Sequence, residues 1–479
     1  MKLNITKNFI IAFFVILAIY QTSGLWFEDS SNHNFFYSFF NNSKSADDDG
    51  LLYSLDNIIV NQGSDKLICL KNNIYQNEYK SSFDSAVKAT MENGSVLART
   101  EFDWNNILSG RSIIYQYSCE IDSKSISNMF GFNESLLSSF SDKMDTVVVV
   151  PYTTTPETLV VGFGNRKTGK GCFYSLEKNQ IIYDVYNNIG SVTASDSEVY
   201  YTSSIKNGID IFGSNVFIPQ WNNKTKYYTI RAEGQFYENN EFEPLKLEKC
   251  VDVFFDNAAS KWASISNGVY VYSDENTVVK YYPNDTIEYY NYSTEKAGSE
   301  ENFYSQYKSA VSFLKKDINI KNEYYLSSYY SDSEKIVFYF DYKLNNFSVE
   351  LSDELKNDLG LNSIIEVTVS GGKVSKYRRY AKEFLVDGNN KKNMEKGFLT
   401  AIDEVFAEMN NDGSQKKAVE NMELEYLLYK NENAELKWLI DVDGKRYIRG
   451  LENPDISTEQ TTESDSVIED YSTYEVTMW

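Results

Sequence analysis

Few residues in this chain have the makings of chemistry. Asp252, Asp256 and Asp274 lie beside the aromatic runs Val253-Phe254-Phe255 and Tyr270-Val271-Tyr272. Glycan hydrolysis needs two carboxyl groups facing each other across a bond, with rings to stack on the sugar. Spacing in the chain does not bring two of these aspartates face to face, and turns and strand edges are the plainer use for each. His33 is the single histidine, so a histidine zinc site or a Ser-His-Asp triad has almost no material. Asp47-Asp48-Asp49 are adjacent, their side chains do not converge on one cation, and a solvated linker is expected. No catalytic residue, metal site or cofactor is predicted.

Gly164-Asn165-Arg166-Lys167-Thr168-Gly169-Lys170-Gly171 comes close to a phosphate-binding loop. That motif wants Ser or Thr after its lysine to hold magnesium, and a helix whose first N–H groups face the phosphates. Here Gly171 takes the position, and Cys172-Phe173-Tyr174-Ser175-Leu176 continues as a strand pattern. A glycine-rich hairpin tip is predicted instead. Cys69, Cys119, Cys172 and Cys250 form no CxxC pair. Outside the cell they allow three pairings into two disulfides, but a chain with this much core needs no staples, and free thiols are expected.

The elements that must position these residues can be read from periodicity. With 42% hydrophobic and 15% aromatic residues in 479, the chain can build real cores, in two to four domains. Its net charge of −23 disfavours nucleic acid and direct adhesion to an anionic leaflet, leaving proteins or neutral glycans as partners. Residues 57–60 and 66–70 read as a hairpin, and Tyr79, Phe83, Ala86, Val87 and Met91 share one helical face. Strands at 113–119 and 146–150, with short helices in 123–140, complete an α+β domain.

From about residue 225 the pattern becomes strand-rich. Short β-prone runs at 227–232, 250–255, 268–272, 277–282 and 286–290 precede a helix whose stripe is Phe303, Tyr307, Ala310, Val311 and Leu314. A hairpin at 324–330 and 335–342 follows. The same order then returns: a hairpin around Gly371-Gly372, the stripe Phe398, Ile402, Val405, Phe406 and Met409, and a hairpin of 424–428 with 436–442. This predicts a duplication, each unit a four-stranded antiparallel sheet with one long helix on one face. The expected fold class is α+β: an N-terminal transmembrane helix, an α+β domain, then two similarly built antiparallel-sheet-plus-long-helix domains. The divisions are 1–27 anchor, 28–50 tether, 51–205 N-terminal domain, 206–350 middle domain, 351–450 C-terminal domain and 451–479 acidic tail, the last of disordered composition.

Residues 9–27, FIIAFFVILAIYQTSGLWF, set the address. Nineteen residues at a helical rise of about 1.5 Å reach roughly 28 Å, enough to cross a bilayer. Lys2 and Lys7 precede the run and no basic residue follows until Lys44, so the N-terminus is cytoplasmic and the bulk extracellular, as a single-pass cell-membrane protein. Thr22-Ser23-Gly24 also suits signal-peptide cleavage, but Leu25-Trp26-Phe27 resumes the apolar run, and a retained anchor is expected. Both readings export the chain. Small and weakly polar residues let membrane helices approach closely, which marks Ala12, Ala18, Gln21, Thr22, Ser23 and Gly24 as candidate partner contacts.

Certain segments also resemble a known family. The membrane segment with Tyr20-Gln21-Thr22 and Leu25-Trp26-Phe27, then Val253-Phe254-Phe255-Asp256-Asn257, Tyr270-Val271-Tyr272-Ser273-Asp274 and Thr286-Ile287-Glu288-Tyr289, are similar to YycH-type regulatory proteins of Gram-positive bacteria. Residues 365–380 and 422–448 resemble strand pairs shared by YycH and its relative YycI. The resemblance implies a noncatalytic regulator of a two-component system controlling cell-wall metabolism. Its implied partners are a sensor histidine kinase and a YycI-like sister protein, or a second copy of the chain. It offers no catalytic residues to carry over, and the acidic tail departs from it. A cell-surface wall- or glycan-binding adhesion module is the rival reading.

Overall fold

The run Val147-Val148-Val149-Val150 lacks the polar alternation of a half-exposed strand, so it needs cover on both faces. The computed structural model describes residues 55–452 except 65, 71–74, 138–139, 141–142, 155, 194–198, 207, 210, 222–224, 240, 295–302, 345–346 and 411–417. Within it the valines form the middle of an antiparallel seven-stranded sheet. In chain order its strands are β1 (Leu55–Gln62), β2 (Ile68–Cys69), β3 (Ser95–Glu101), β4 (Arg111–Ile121), β5 (Met144–Tyr152), β6 (Thr158–Gly164) and β7 (Lys170–Glu177). Their order across the sheet is β2-β1-β4-β5-β6-β7-β3. One face carries α1 (Lys80–Asn93), with α3 (Ser123–Phe130) and α4 (Ile181–Ser191) beside it; α2 is the single turn Trp104–Ile107. On α1 the expected stripe is buried through Phe83, Ala86, Val87 and Met91. On the other face, Val148 and Val150 join Ile59, Ile114, Phe173 and Phe217 in a second cluster.

The loop that resembles a phosphate site is the β6–β7 turn, as its strand flanks predict. A Cβ on Gly164 would lie 2.2 Å from the Phe102 ring and 2.4 Å from the Lys170 carbonyl. Glycine is there for close packing. Asn165 holds the turn from within, its Nδ2 donating to Glu120 at 3.0 Å and to the Lys143 carbonyl at 3.1 Å.

Beyond β7 the chain forms the hairpin β8 (Val199–Ser203) and β9 (Phe217–Trp221), then β10 (Lys226–Gly234) and the small pair β11 (Tyr237–Glu238) and β12 (Glu241–Phe242). Helix α5 (Pro244–Asp252) leads into β13 (Trp262–Ser266), β14 (Val269–Ser273), β15 (Thr277–Tyr281) and β16 (Thr286–Asn291). After α6 (Phe303–Leu314) come β17 (Glu323–Ser331), β18 (Ile336–Leu344), β19 (Phe347–Leu351), α7 (Asp353–Leu359), β20 (Ile365–Ser370), β21 (Lys373–Tyr380) and β22 (Lys382–Asn393). The described chain ends with α8 (Phe398–Asn410), β23 (Val419–Leu428), β24 (Asn433–Val442) and β25 (Lys445–Gly450). Fourteen of these strands make one sheet, ordered β13-β14-β15-β16-β21-β20-β18-β19-β23-β24-β10-β22, with β17 on β18 and β25 on β24. The protein is thus mixed α+β, mostly strand, with eight α-helices among the described residues.

Both expected helix-and-hairpin groups exist, but their strands interleave. The β20–β21 hairpin lies between β16 and β18, beneath α6, where Phe313 meets Tyr289 and Tyr377 with ring centroids 4.9 and 5.4 Å apart. The boundary expected at 350/351 falls inside β19, which pairs antiparallel with β18 and parallel with β23. The boundary expected at 205/206 falls within the β8–β9 connection. Residues 9–27, their candidate contacts Ala12, Ala18, Gln21, Thr22, Ser23 and Gly24, the tether and the tail beyond Glu452 lie outside the described residues. Among those described, no helix is long and apolar enough to cross a membrane.

An ion pair lies at the centre of the large sheet. Arg379 on β21 and Asp317, just after α6, are both fully buried, with Nε 3.1 Å from Oδ2. Arg379 also donates to Gln235 at 2.8 Å, and the Tyr377 hydroxyl donates to Asp317 at 2.9 Å. Removing one partner leaves the other charge uncompensated, which costs about 3–5 kcal/mol. Asp317→Ala is therefore expected to lower the denaturant midpoint by that much stability with the slope unchanged, as read by equilibrium urea unfolding.

Candidate functional site

The pairing of β13 to β17 lines up side chains that lie far apart in the chain. Successive residues of a strand point to opposite faces, so each cross-strand row belongs to one face. The row Ala263, Tyr272, Val279, Tyr289, Tyr377, Val367, Phe338 runs along the face covered by α6, and from Tyr272 onward every member is buried. The row one residue away, Trp262, Ser273, Val278, Tyr290, Lys376, Thr368, Val337, Tyr330, runs along the open face. Trp262 is 72% exposed and Tyr330 54%. Aromatic rings thus stand at both ends and near the middle of an eight-strand surface.

The adjacent row on the same face is ionic. It runs Lys280, Glu288, Arg378, Glu366, Tyr339 across neighbouring strands. Glu288 is the hub: Lys376 and Arg378 lie 3.4 Å from it, and the hydroxyls of Tyr282 and Tyr290 donate at 2.7 and 2.6 Å. Arg378 also reaches Glu366 at 3.4 Å. Burial pushes the Glu288 pKa up, but the two tyrosine hydrogen bonds and the two cations outweigh it and hold the carboxyl below its usual range. Lys376 and Lys280 lie over the Tyr290 ring, 5.1 and 5.9 Å from its centre. The ladder neutralises itself and keeps the tyrosines in fixed orientations.

This surface ends at β13, whose residues Trp262 to Ser266 are all exposed. Ile265 is 64% exposed on the opposite face from Trp262. Other strands bordering the sheet carry charge: β22 has Lys382, Glu383, Asp387, Lys391 and Lys392, β17 has Glu323, and β25 has Lys445, Arg446 and Arg449. Charges, lysines above all, deter edge-to-edge pairing. Trp262-Ala263-Ser264-Ile265-Ser266 has none, and among the described residues no strand pairs with its outer side, which leaves those backbone groups as an open template.

Two of the three aspartates picked out for glycan chemistry have structural duties. Asp252 pairs with Lys261 at 2.6 Å. Asp274 accepts from the backbone N–H groups of Asn276 and Thr277 at 2.9 and 2.7 Å, shaping the β14–β15 turn. Asp256 is exposed; with Asp274 it lies in electrostatic range of Tyr289, whose hydroxyl is raised mainly by burial and further by both charges. A separate cleft of about 530 Å³ opens where β10 and β25 diverge along β24. Its charges are mutually paired, Lys392 with Glu435 at 2.9 Å and Lys437 with Glu435 at 2.6 Å. All four cysteines are free thiols; burial pushes Cys69 to about 11 and Cys250 to about 12, so neither is a reactive thiolate near neutral pH.

Glu288 generates a test with a defined sign. Because its folded pKa lies below the unfolded carboxylate value of about 4.3, its contribution is fully present above that value and is lost as pH falls through the folded pKa. Glu288→Gln is expected to cost about 1–3 kcal/mol at pH 7, and the gap from the parent should close in acid. Paired urea titrations at neutral pH and in strong acid check both halves.

No family model matches the chain, and no curated protein is similar to it. Among solved structures, the chain is similar to an uncharacterized protein from Eubacterium rectale. The identity is 15%, the match covers 49% of this chain and 86% of that one, and the TM-score is 0.32.

Proposed function

We propose that this protein is a noncatalytic, membrane-anchored extracytoplasmic regulator. Its outer body docks on a partner protein, and its N-terminal helix biases a sensor histidine kinase of a two-component system that controls cell-wall metabolism. The observation that carries the docking half is β13, an exposed strand edge without a charged residue, at the end of an open face. An extended segment of a partner adds to such an edge through main-chain hydrogen bonds, with alternate side chains supplying specificity. Trp262 and Ile265, on opposite faces, are the anchors for that pairing.

The kinase half comes from the sequence: the apolar segment 9–27 and the resemblance to YycH-type proteins. A coupling free energy of about 1–3 kcal/mol between helix contact and kinase state is enough to change output severalfold. A second reading, a wall- or glycan-binding module, draws on the open-face row with Trp262, Tyr290 and Tyr330. That reading needs no membrane partner.

In-cell crosslinking from Ala12, Ala18 and Gln21 is expected to capture a sensor kinase or a sister protein, and the detached outer part is expected to lose regulation. Capture of neither, with normal regulation by the detached part, rules out the helix mechanism. Ile265→Lys places a charge on the edge strand. It is expected to weaken partner co-purification at least tenfold while leaving the thermal midpoint within the small range of surface substitutions. Retained wall-glycan pull-down with unaffected kinase output in this variant favours the second reading.

A further inference from the structure

The two large sheets meet along a seam. There β17 lies against β4, with the Ser118 hydroxyl donating to the Leu326 carbonyl at 2.7 Å, and the separate β8–β9 hairpin lies against β23 through β9. Asn421, Glu423 and Glu425 project from one face of β23 as alternate residues. All three are half-buried. Asn421 donates to Glu423 at 2.7 Å, and the two glutamate side chains lie close enough to interact.

The groups facing this pair come from many elements, and most are acidic. Asp56 on β1 bears on Glu423, and Glu350 on β19 bears on Glu425. Asp341 on β18 and Asp441 on β24 belong to the same seam. Tyr201 on β8 and Tyr325 on β17 lie close enough to feel the glutamates, and Cys69 on β2 sits beside Asp56. The cations are already engaged. Lys343 on β18 is 3.7 Å from Asp56; Arg166 in the β6–β7 turn is 3.3 Å from Asp145. Arg446 on β25 is 3.0 Å from both Glu350 and Asp441. Lys437, directly across from Glu425 on β24, turns to Glu435 at 2.6 Å, and Lys356 of α7 turns to Glu350.

We propose that Glu423 and Glu425 form a proton-held latch: one proton shared between the two carboxyls keeps the seam closed, and its release to water as pH rises loosens the contact between the sheets. The environment supports this. Glu425 is raised well above the ordinary carboxyl range by burial, then by Glu423 and Glu350, with Arg446 too little to offset them. Glu423 is raised by burial and Asp56, against the opposing pull of Asn421 and Arg166. Two such groups titrate as a pair. The closed state binds the extra proton, so its advantage is complete below the unfolded value of about 4.3 and is lost as pH rises through the folded pKa. The latch is independent of the kinase reading, since it concerns only the contact between the two sheets.

Hydrogen exchange of the full chain in detergent micelles, corrected for the intrinsic pH dependence of exchange, tests the latch. Amides of β4, β17 and β23 are expected to open more readily as pH rises, by up to about tenfold per pH unit inside the titration window, the limit for one proton. Strands β5 and β6, away from the seam, are expected to show no such rise. Glu425→Gln keeps the shape without the titration and is expected to abolish the pH dependence, leaving the seam protected at high pH. A flat wild-type profile at the seam overturns the latch, whatever the variant does. So does a Glu425→Gln or Glu423→Gln protein that folds, by near-ultraviolet circular dichroism, and keeps the wild-type pH dependence.

Discussion

The fourteen-stranded sheet is organised around a charge it cannot leave alone. Arg379 has no exposure to water, and an unpaired guanidinium at that depth is not sustainable. Asp317 meets it from the turn that ends α6, Gln235 meets it from the end of β10, and Gln235 in turn donates to the Asn319 carbonyl at 2.8 Å. Tyr377 closes the ring of partners on Asp317. Three segments from different parts of the chain must therefore arrive together before the charge is satisfied. Apolar residues of similar volume would often be as stable; the ion pair instead specifies which turn meets which strand.

That requirement bears directly on the interleaving. Helix α6 can deliver Asp317 to Arg379 only if β21 lies beneath it, and β21 reaches that place by pairing with β16 across more than eighty residues of chain. The β20–β21 hairpin is thereby inserted between strands that precede it, and β19 and β23 close the remainder in parallel. Two groups that follow one another in the chain become one sheet in space. The open face follows from the same pairing, because Glu288 and Arg378 become neighbours only when β16 meets β21.

Most local elements were legible because local rules make them, though the run 250–255, read as a strand, is the end of α5 and the turn after it. The α6 stripe predicts burial of Phe303, Tyr307, Ala310, Val311 and Leu314; the last four are buried and Phe303, in the first turn, is half-buried. Gly371 and Gly372, read as a tight turn, both have positive φ, 53° and 73°. Gly171 in place of Ser or Thr correctly marked a hairpin. Long-range pairing was not legible: nothing in Thr286–Asn291 says that its partner is Lys373–Tyr380, so neither the ionic row nor the Arg379–Asp317 pair could be read. Glu423 and Glu425 looked like the polar half of an ordinary strand alternation. Their polar face meets a second sheet, which periodicity within one strand does not reveal. For β13, the missing charge was visible in the sequence, but its position at an edge was not.

Glu288 and Glu425 show how the same side chain takes opposite signs. Both lie on the polar side of a strand in one continuous sheet, and burial raises the pKa of each as its largest effect. Around Glu288 two cations and two tyrosine hydroxyls converge, and the carboxylate wins. Around Glu425 the nearest charges are other carboxylates, and Arg446 is already divided between Glu350 and Asp441. The difference lies in how many donors remain uncommitted, not in depth. An exposed face can recruit long, flexible Lys and Arg side chains from neighbouring strands at little cost. A seam between two sheets has its donors fixed by the packing, so a second carboxylate there is held most cheaply as an acid.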